Sequence, residues 1–225
     1  RRALRYLPSR LKIPNVRERH MKPCETNIAQ LTGKMISRPA YSHSVYEEAF
    51  YCFSFGVPRL SGHVDILPVI LPAAALKEVG LEETLELKGQ LRSYNQAEGG
   101  ANHLHIRFFV QELQPAGSSC ACAQRQNYVF LEGFLCKPPV YRTTPFGREI
   151  ADMLLAVNRS FKKSDYIPVI AWGQNARFVR ELKVGQKMRI EGRFQSREYE
   201  KCLANGEKII RTAYEVSASS VCMVI

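Results

Sequence analysis

The stretch "DYIPVI" at residues 165–170 has a counterpart one hundred residues earlier, "DILPVI" at 65–70, with four identities in six. Held at that offset, residues 27–79 and 127–179 agree at twelve of 53 positions without a gap, among them Asn27/Asn127, Gly33/Gly133, Arg59/Arg159 and Asp65/Asp165. Further on, "ELKGQLRS" (86–93) and "RIEGRFQS" (189–196) align once three residues are added to the offset. Self-similarity at a fixed spacing reads as two copies of one domain. The small, turn-rich segment "QPAGSSCACAQ" from 114 supplies the join. The expected organisation is a basic arm over 1–20, a first domain over 21–113, a linker over 114–125 and a second domain over 126–225.

The 225-residue chain is long enough for two small cores, and 45% hydrophobic residues with ordinary glycine and proline contents read as globular. No apolar run approaches the ~20 residues of a membrane span. Seven scattered cysteines, an odd number, suit a reducing cytoplasm better than a disulfide framework. The net charge of +11 points to a polyanionic partner, and it is unevenly spread. Residues 1–20 carry +6, residues 21–125 carry −1, and residues 126–225 carry +6. The opening arm precedes the first methionine, Met21, and has two readings: a stretch outside the native folded protein, or an arm that grips phosphates.

Within the second copy the pattern is short strands. "NYVFLEGFLC", "IADMLLAVNRSF" and "YIPVIAW" precede "QNARFVREL", which sets Ala176, Val179 and Leu182 at helical spacing. The long alternating run "QKMRIEGRFQSREY", an Asn-Gly turn in "LANGE" and "KIIRTAYEVSAS" complete it. Three strands, a helix and two strands is the order of the OB-fold. The expected fold is therefore all-β: two tandem OB-folds, five-stranded Greek-key barrels with one short helix each.

Successive strand residues point to opposite faces. In "KMRIEGRFQSREY", Met188, Ile190, Gly192 and Phe194 suit the core, and the other parity holds Lys187, Arg189, Glu191, Arg193, Gln195, Arg197 and Tyr199. A solvated charged face is the plainer reading of that strand alone. Tyr166 and Trp172 alter the balance, because both lie on the parity opposite Ile167, Val169 and Ala171. Phe161 adds a ring beside Lys162 and Lys163. Rings interleaved with cations suit unpaired bases, which stack for ~1–3 kcal/mol each while Lys and Arg track phosphates.

The runs "NYVFLEGFLCKPPVY", "LLAVNRSF", "DYIPVIAWG", "VGQKMRIEGRFQSREY" and "RTAYEVSA" closely resemble the bacterial single-stranded DNA-binding proteins over 127–219. The resemblance implies stacking at four aromatic positions, which fall on Phe161, Tyr166, Trp172 and Tyr199, with Arg193 and Arg197 in the matching strand motif. It implies single-stranded DNA as partner, no cofactor, no catalytic residue and no metal. Family members usually end in an acidic tip that recruits other proteins, and this chain stops at "SSVCMVI". Two domains per chain resembles the duplicated members that reach four domains as a homodimer.

At the four aromatic positions the first copy has Ser61, Ile66, Pro72 and, with the shifted alignment, Gln96. It keeps Lys88, Arg92 and Tyr94 on the equivalent strand, and a structural or partner-facing role is expected of it. Cys120 and Cys122 with His103 and His105 lack zinc-site spacing, so free thiols are expected. No phosphate-loop or nucleophile-elbow motif appears. The function expected is sequence-tolerant single-stranded DNA binding in replication, recombination or repair, in the cytoplasm with the nucleoid and away from membranes. Two alternatives stay open: an RNA-binding OB protein, since stacking alone does not read the 2′-hydroxyl, and an assembly subunit that mainly contacts protein.

Overall fold

The computed structural model describes residues 11–12, 26–76, 83–98, 100–117, 126–160, 162–202 and 206–224. In the first half these form β2 (Asn27–Met35), β3 (Ala40–Val45), β4 (Glu48–Pro58), β5 (Val64–Pro72), α1 (Ala73–Leu76), β6 (Thr84–Glu98) and β7 (Ala101–Pro115). A two-residue β1 (Leu11–Lys12) pairs with β7. The second half repeats the series as β8 (Asn127–Leu135), β9 (Val140–Thr143), β10 (Glu149–Arg159), β11 (Lys163–Trp172), α2 (Gly173–Arg180), β12 (Lys187–Cys202) and β13 (Lys208–Met223).

The strand order β3-β4-β5-β7-β6-β2-β8-β12-β13-β11-β10-β9 reads the same from either end once equivalent strands are matched. Each half closes into a barrel where its first long strand meets its third, β2 with β4 and β8 with β10. Both are OB-folds. Alternation decides the interior: Met188, Ile190 and Phe194 are fully buried, as are Leu85, Leu87 and Leu91 at the matching positions of β6. Gly33 and Gly133 occupy the closure points. A Cβ at Gly133 would overlap the carbonyl oxygen of Ala156, and one at Gly33 that of Gly56, so the repeat keeps glycine where two backbones touch.

Three details differ from the sequence reading. The short strands β3 and β9 extend each barrel beyond the five strands expected. Strand pairing runs on through Pro115, opposite Leu85, so Gln114 and Pro115 belong to the ladder and not to a linker. Leu182 follows α2, which ends at Arg180, although it still packs on the core that Ala176 and Val179 enter. The rest of the expected linker from 118 to 125 and most of the opening arm lie outside the described residues. Among the described residues no helix is long and apolar enough to cross a membrane.

The halves join through β2 and β8, antiparallel, with Asn27 opposite Leu131, Ala29 opposite Val129 and Leu31 opposite Asn127. Asn27 thus faces the partner of Asn127's own repeat position, which places a local twofold relation at Ala29/Val129. Every main feature then occurs twice. Asn27 and Asn127 each grip the inner hairpin strand of their own half. Asn27 bonds both backbone groups of Leu91 (2.8 and 3.0 Å), and Asn127 both of Phe194 (2.6 and 2.9 Å). These equivalent hooks, with β-bulges at Gly89 and Gly192, establish the three-residue shift in the alignment.

The aspartates of the opening repeat cross the seam. Asp165 is fully buried and accepts the backbone N–H of Ser93 (2.8 Å) and the Arg92 guanidinium (3.1 Å), both from the first half. Asp65, equally buried, accepts the N–H of Ser196 (2.9 Å) from the second half and is forked by Arg59. A buried carboxylate stripped of such partners is strongly unfavourable, and its removal orphans theirs. Asp165→Ala should lower the unfolding free energy of the full chain by about 3–5 kcal/mol in urea titrations. Asp165→Asn, which keeps an acceptor for Ser93, should recover part of that, and a loss under about 1 kcal/mol for the alanine variant would contradict a structural role.

Candidate nucleic-acid interface

Strand β11 alternates cleanly. Ile167, Val169 and Ala171 turn inward and are buried, whereas Tyr166 and Trp172 are 43% and 37% exposed on the outer face. Six residues of strand separate the two rings by about 20 Å. Tyr166 is held in place across the seam, its backbone N–H donating to Ser93 Oγ at 2.7 Å. Ala156 of β10 pairs with Tyr166 on one side and with Phe134 of β8 on the other. Directly opposite residues share a sheet face, so Phe134, 38% exposed, adds a third ring to this surface. The sequence reading does not single out Phe134, though its signal is present: it has the parity opposite Val129, Leu131 and Leu135, all buried.

The β12–β13 hairpin extends the surface. Tyr199, 39% exposed, pairs with Arg211 and lies under the Arg197 guanidinium, 5.9 Å from the ring centroid. Arg197 also bonds Glu215 (3.2 and 3.4 Å), and that bond raises its pKa further. Half of its side chain remains in solvent, so it can meet a phosphate without leaving Glu215. Lys162 occupies a left-handed turn position (φ 54°) and Lys163 opens β11, both exposed. Phe161 lies outside the described residues.

The other two expected cations are engaged by other side chains, and Arg189, opposite Glu132 on β8, keeps to the outer face that carries Phe134. Arg193 is half-buried at the seam and donates to Gln195 Oε1 (3.1 Å); burial first, and then nearby Arg59, pull its pKa down. Arg189 donates to Glu132 Oε2 (2.9 Å), and Lys187 approaches Glu132 Oε1 at 2.6 Å. Alternation sets these side chains outward but cannot show that a carboxylate on β8 awaits Arg189.

At the matching positions of the first half Ser61 and Gln96 are exposed and polar, Ile66 is exposed and aliphatic, and Pro72 is buried. No group of three or more His, Cys, Asp or Glu among the described residues could hold a metal ion. His105 instead stacks on Tyr94, and Cys120 and Cys122 lie outside the described residues.

Residues 126–224, which contain this surface, match the single-strand binding protein family. The match lies wholly within the second half. Single-stranded DNA-binding protein A of Bacillus subtilis is 38% identical over 102 residues, covering 42% of this chain and 57% of that protein. Single-stranded DNA-binding protein 1 of Staphylococcus aureus is 41% identical over 81 residues, 33% of this chain and 48% of that one. The chain thus spans about half the length of the curated relatives it matches. The wild-type single-stranded DNA binding protein from Thermus aquaticus superposes on both halves, covering 88% of this chain and 93% of that chain at a TM-score of 0.69. At 19% identity that likeness concerns the fold alone.

Hydrogen bonds from Lys187 and Arg189 hold the Glu132 carboxyl below the usual carboxylate range. The stability from this cluster is therefore present above the ordinary carboxylate pKa and lost as pH falls through the depressed value. Glu132→Gln should flatten the acid limb of a thermal-stability profile below about pH 4.5, and an unchanged limb would show that the cluster contributes nothing to folding.

Proposed function

We propose that the chain binds single-stranded DNA, with little regard to sequence, during replication, recombination and repair, and that it does so without chemistry or cofactor. The observation that carries this reading is the outer face of β11, where Tyr166 and Trp172 stand half-exposed. Large rings at that exposure on a core-forming strand do not serve the barrel interior, and each offers a face on which an unpaired base can stack. Arg197, Arg211, Lys162 and Lys163 surround the same half with positive charge, and residues 126–225 carry +6 overall. The match of residues 126–224 to the single-strand binding protein family supports the same ligand.

Duplex DNA hides its base faces in the stack, which makes single strands the better fit. The β2–β8 ladder already joins two OB-folds in one chain, and a homodimer would supply four; sedimentation of the full chain measures this. Its place would be the cytoplasm, with the nucleoid.

Trp172 is the only tryptophan, so its fluorescence reports on the surface directly. Titration with deoxythymidine oligomers should quench it, and duplex DNA should quench it far less. Trp172→Ala should weaken binding by roughly 1–3 kcal/mol with the fold retained. Affinity should fall with salt at a log–log slope of about −0.7 per neutralised phosphate, shallower in Arg197→Ala. Full fluorescence at saturating single strand would remove Trp172 from the interface.

A further inference from the structure

A cleft of about 840 Å³ opens on the first half, where the family's ring positions are absent. Its floor is apolar: Phe50, Pro72 and Phe109, with the two phenyl rings 6.0 Å apart. Tyr94 forms one wall, stacked on His105 (5.2 Å, 16°) and flanked by Arg107, whose guanidinium carbon is 5.2 Å from the ring centroid. Arg92 lies over Phe109 at 5.8 Å. The second half completes the rim, because Arg159 and Lys163 from the β10–β11 turn border the same space.

We propose that this cleft is a second contact site for single-stranded nucleic acid, taking an unpaired base against its rings and phosphates on its rim. The proposal rests on the function proposed above and extends it to the first half, where Pro72 and Gln96 hold two of the family's stacking positions and the rings come instead from neighbouring residues, Phe50, Tyr94 and Phe109. Charge favours this occupant. Among the described residues Arg92, Arg107, Arg159 and Lys163 line the cleft against a single carboxylate, Glu48. Arg92 and Arg159 are partly satisfied by buried Asp165, but among the described residues Arg107 and Lys163 pair with no carboxylate.

Ring chemistry agrees, since guanidinium groups set beside aromatic faces offer a base and its phosphate adjoining partners. Continuity is the third support. Tyr166 bonds Ser93, the neighbour of Tyr94, and Lys163 lies three residues before Tyr166 on β11, so the cleft begins where the second half's surface ends. Because two of its four cations come from residues beyond 125, the site exists only in the joined chain. This reconciles it with a net charge of −1 on the first half alone.

Two measurements on the full chain test it. A strand of about 30 nucleotides carrying 5-iododeoxyuridine, long enough for two OB-folds, should on irradiation crosslink to peptides containing Tyr94, His105 or Phe109 as well as to the second half. Adducts confined to residues 126–224 would overturn the proposal. The double substitution Tyr94→Ala with Arg107→Ala should weaken binding of that strand about tenfold yet change binding of an oligomer of about 8 nucleotides less than twofold. Unchanged affinity for the long strand would also overturn it. Trp172 quenching by the short oligomer checks the underlying reading separately. Cleft crosslinks without quenching would keep the cleft and remove the second-half surface, and a chain that neither crosslinks nor quenches would reject both.

Discussion

A carboxylate without water must find donors, and Asp65 and Asp165 both find theirs across the boundary between the halves. That constraint governs much of the structure. Each aspartate fixes the inner hairpin strand of the opposite barrel at a serine N–H, so the hairpins cannot swing independently of the strands they cross. The β2–β8 ladder sets the halves side by side, and the aspartates set their angle. Tyr166 and Ser93 are neighbours only because Asp165 lies one residue from the first and receives a hydrogen bond from the second. The repeated Arg59/Asp65 and Arg159/Asp165 pairs are therefore parts of a joint, retained in both copies whatever each copy binds.

Much of this was legible in the sequence, because alternation is a local property. Residues 187–199 name their own inward set, and β11 names its outward rings; burial agrees with both except at Gln195, which lies on the outward parity but is buried against Glu215. The duplication was equally legible, since the closure glycines and the asparagine hooks impose the same residue twice. What stayed hidden was non-local. No periodicity tells Arg189 that Glu132 faces it, or places Arg193 beside Arg59 of the other half. Ser93 and Ser196 look like ordinary polar strand residues until aspartates some 72 and 131 positions away close on them. Phe134 is an intermediate case, since its parity was readable and its nearness to Tyr166 depended on barrel closure.

The two halves show how one scaffold can carry two surfaces. Core, closure and seam are duplicated nearly residue for residue, whereas the outer faces share little. At Phe134–Ala156–Tyr166 the second half has two rings about a small residue, and the first half has Lys34, Gly56 and Ile66 in the same register. The cleft rings of the first half belong to β4, β6 and β7 and stand beside Pro72 and Gln96, so its aromatic surface keeps the same region of the barrel but draws its rings from other positions. Outer positions are free to diverge in this way because neither packing nor the seam depends on them.

The twofold relation at Ala29/Val129 carries a directional consequence. A nucleic-acid strand has a 5′ and a 3′ end, and a twofold axis reverses any direction that lies across it. A strand that ran straight over the seam would meet the second barrel in one polarity and the equivalent position on the first barrel in the other. Two identical surfaces would then suit only a path that doubled back. Joining the barrels in one chain removes the requirement that they be identical, since each residue is encoded once per barrel, and would allow two surfaces to suit opposite polarities of a single unturned strand.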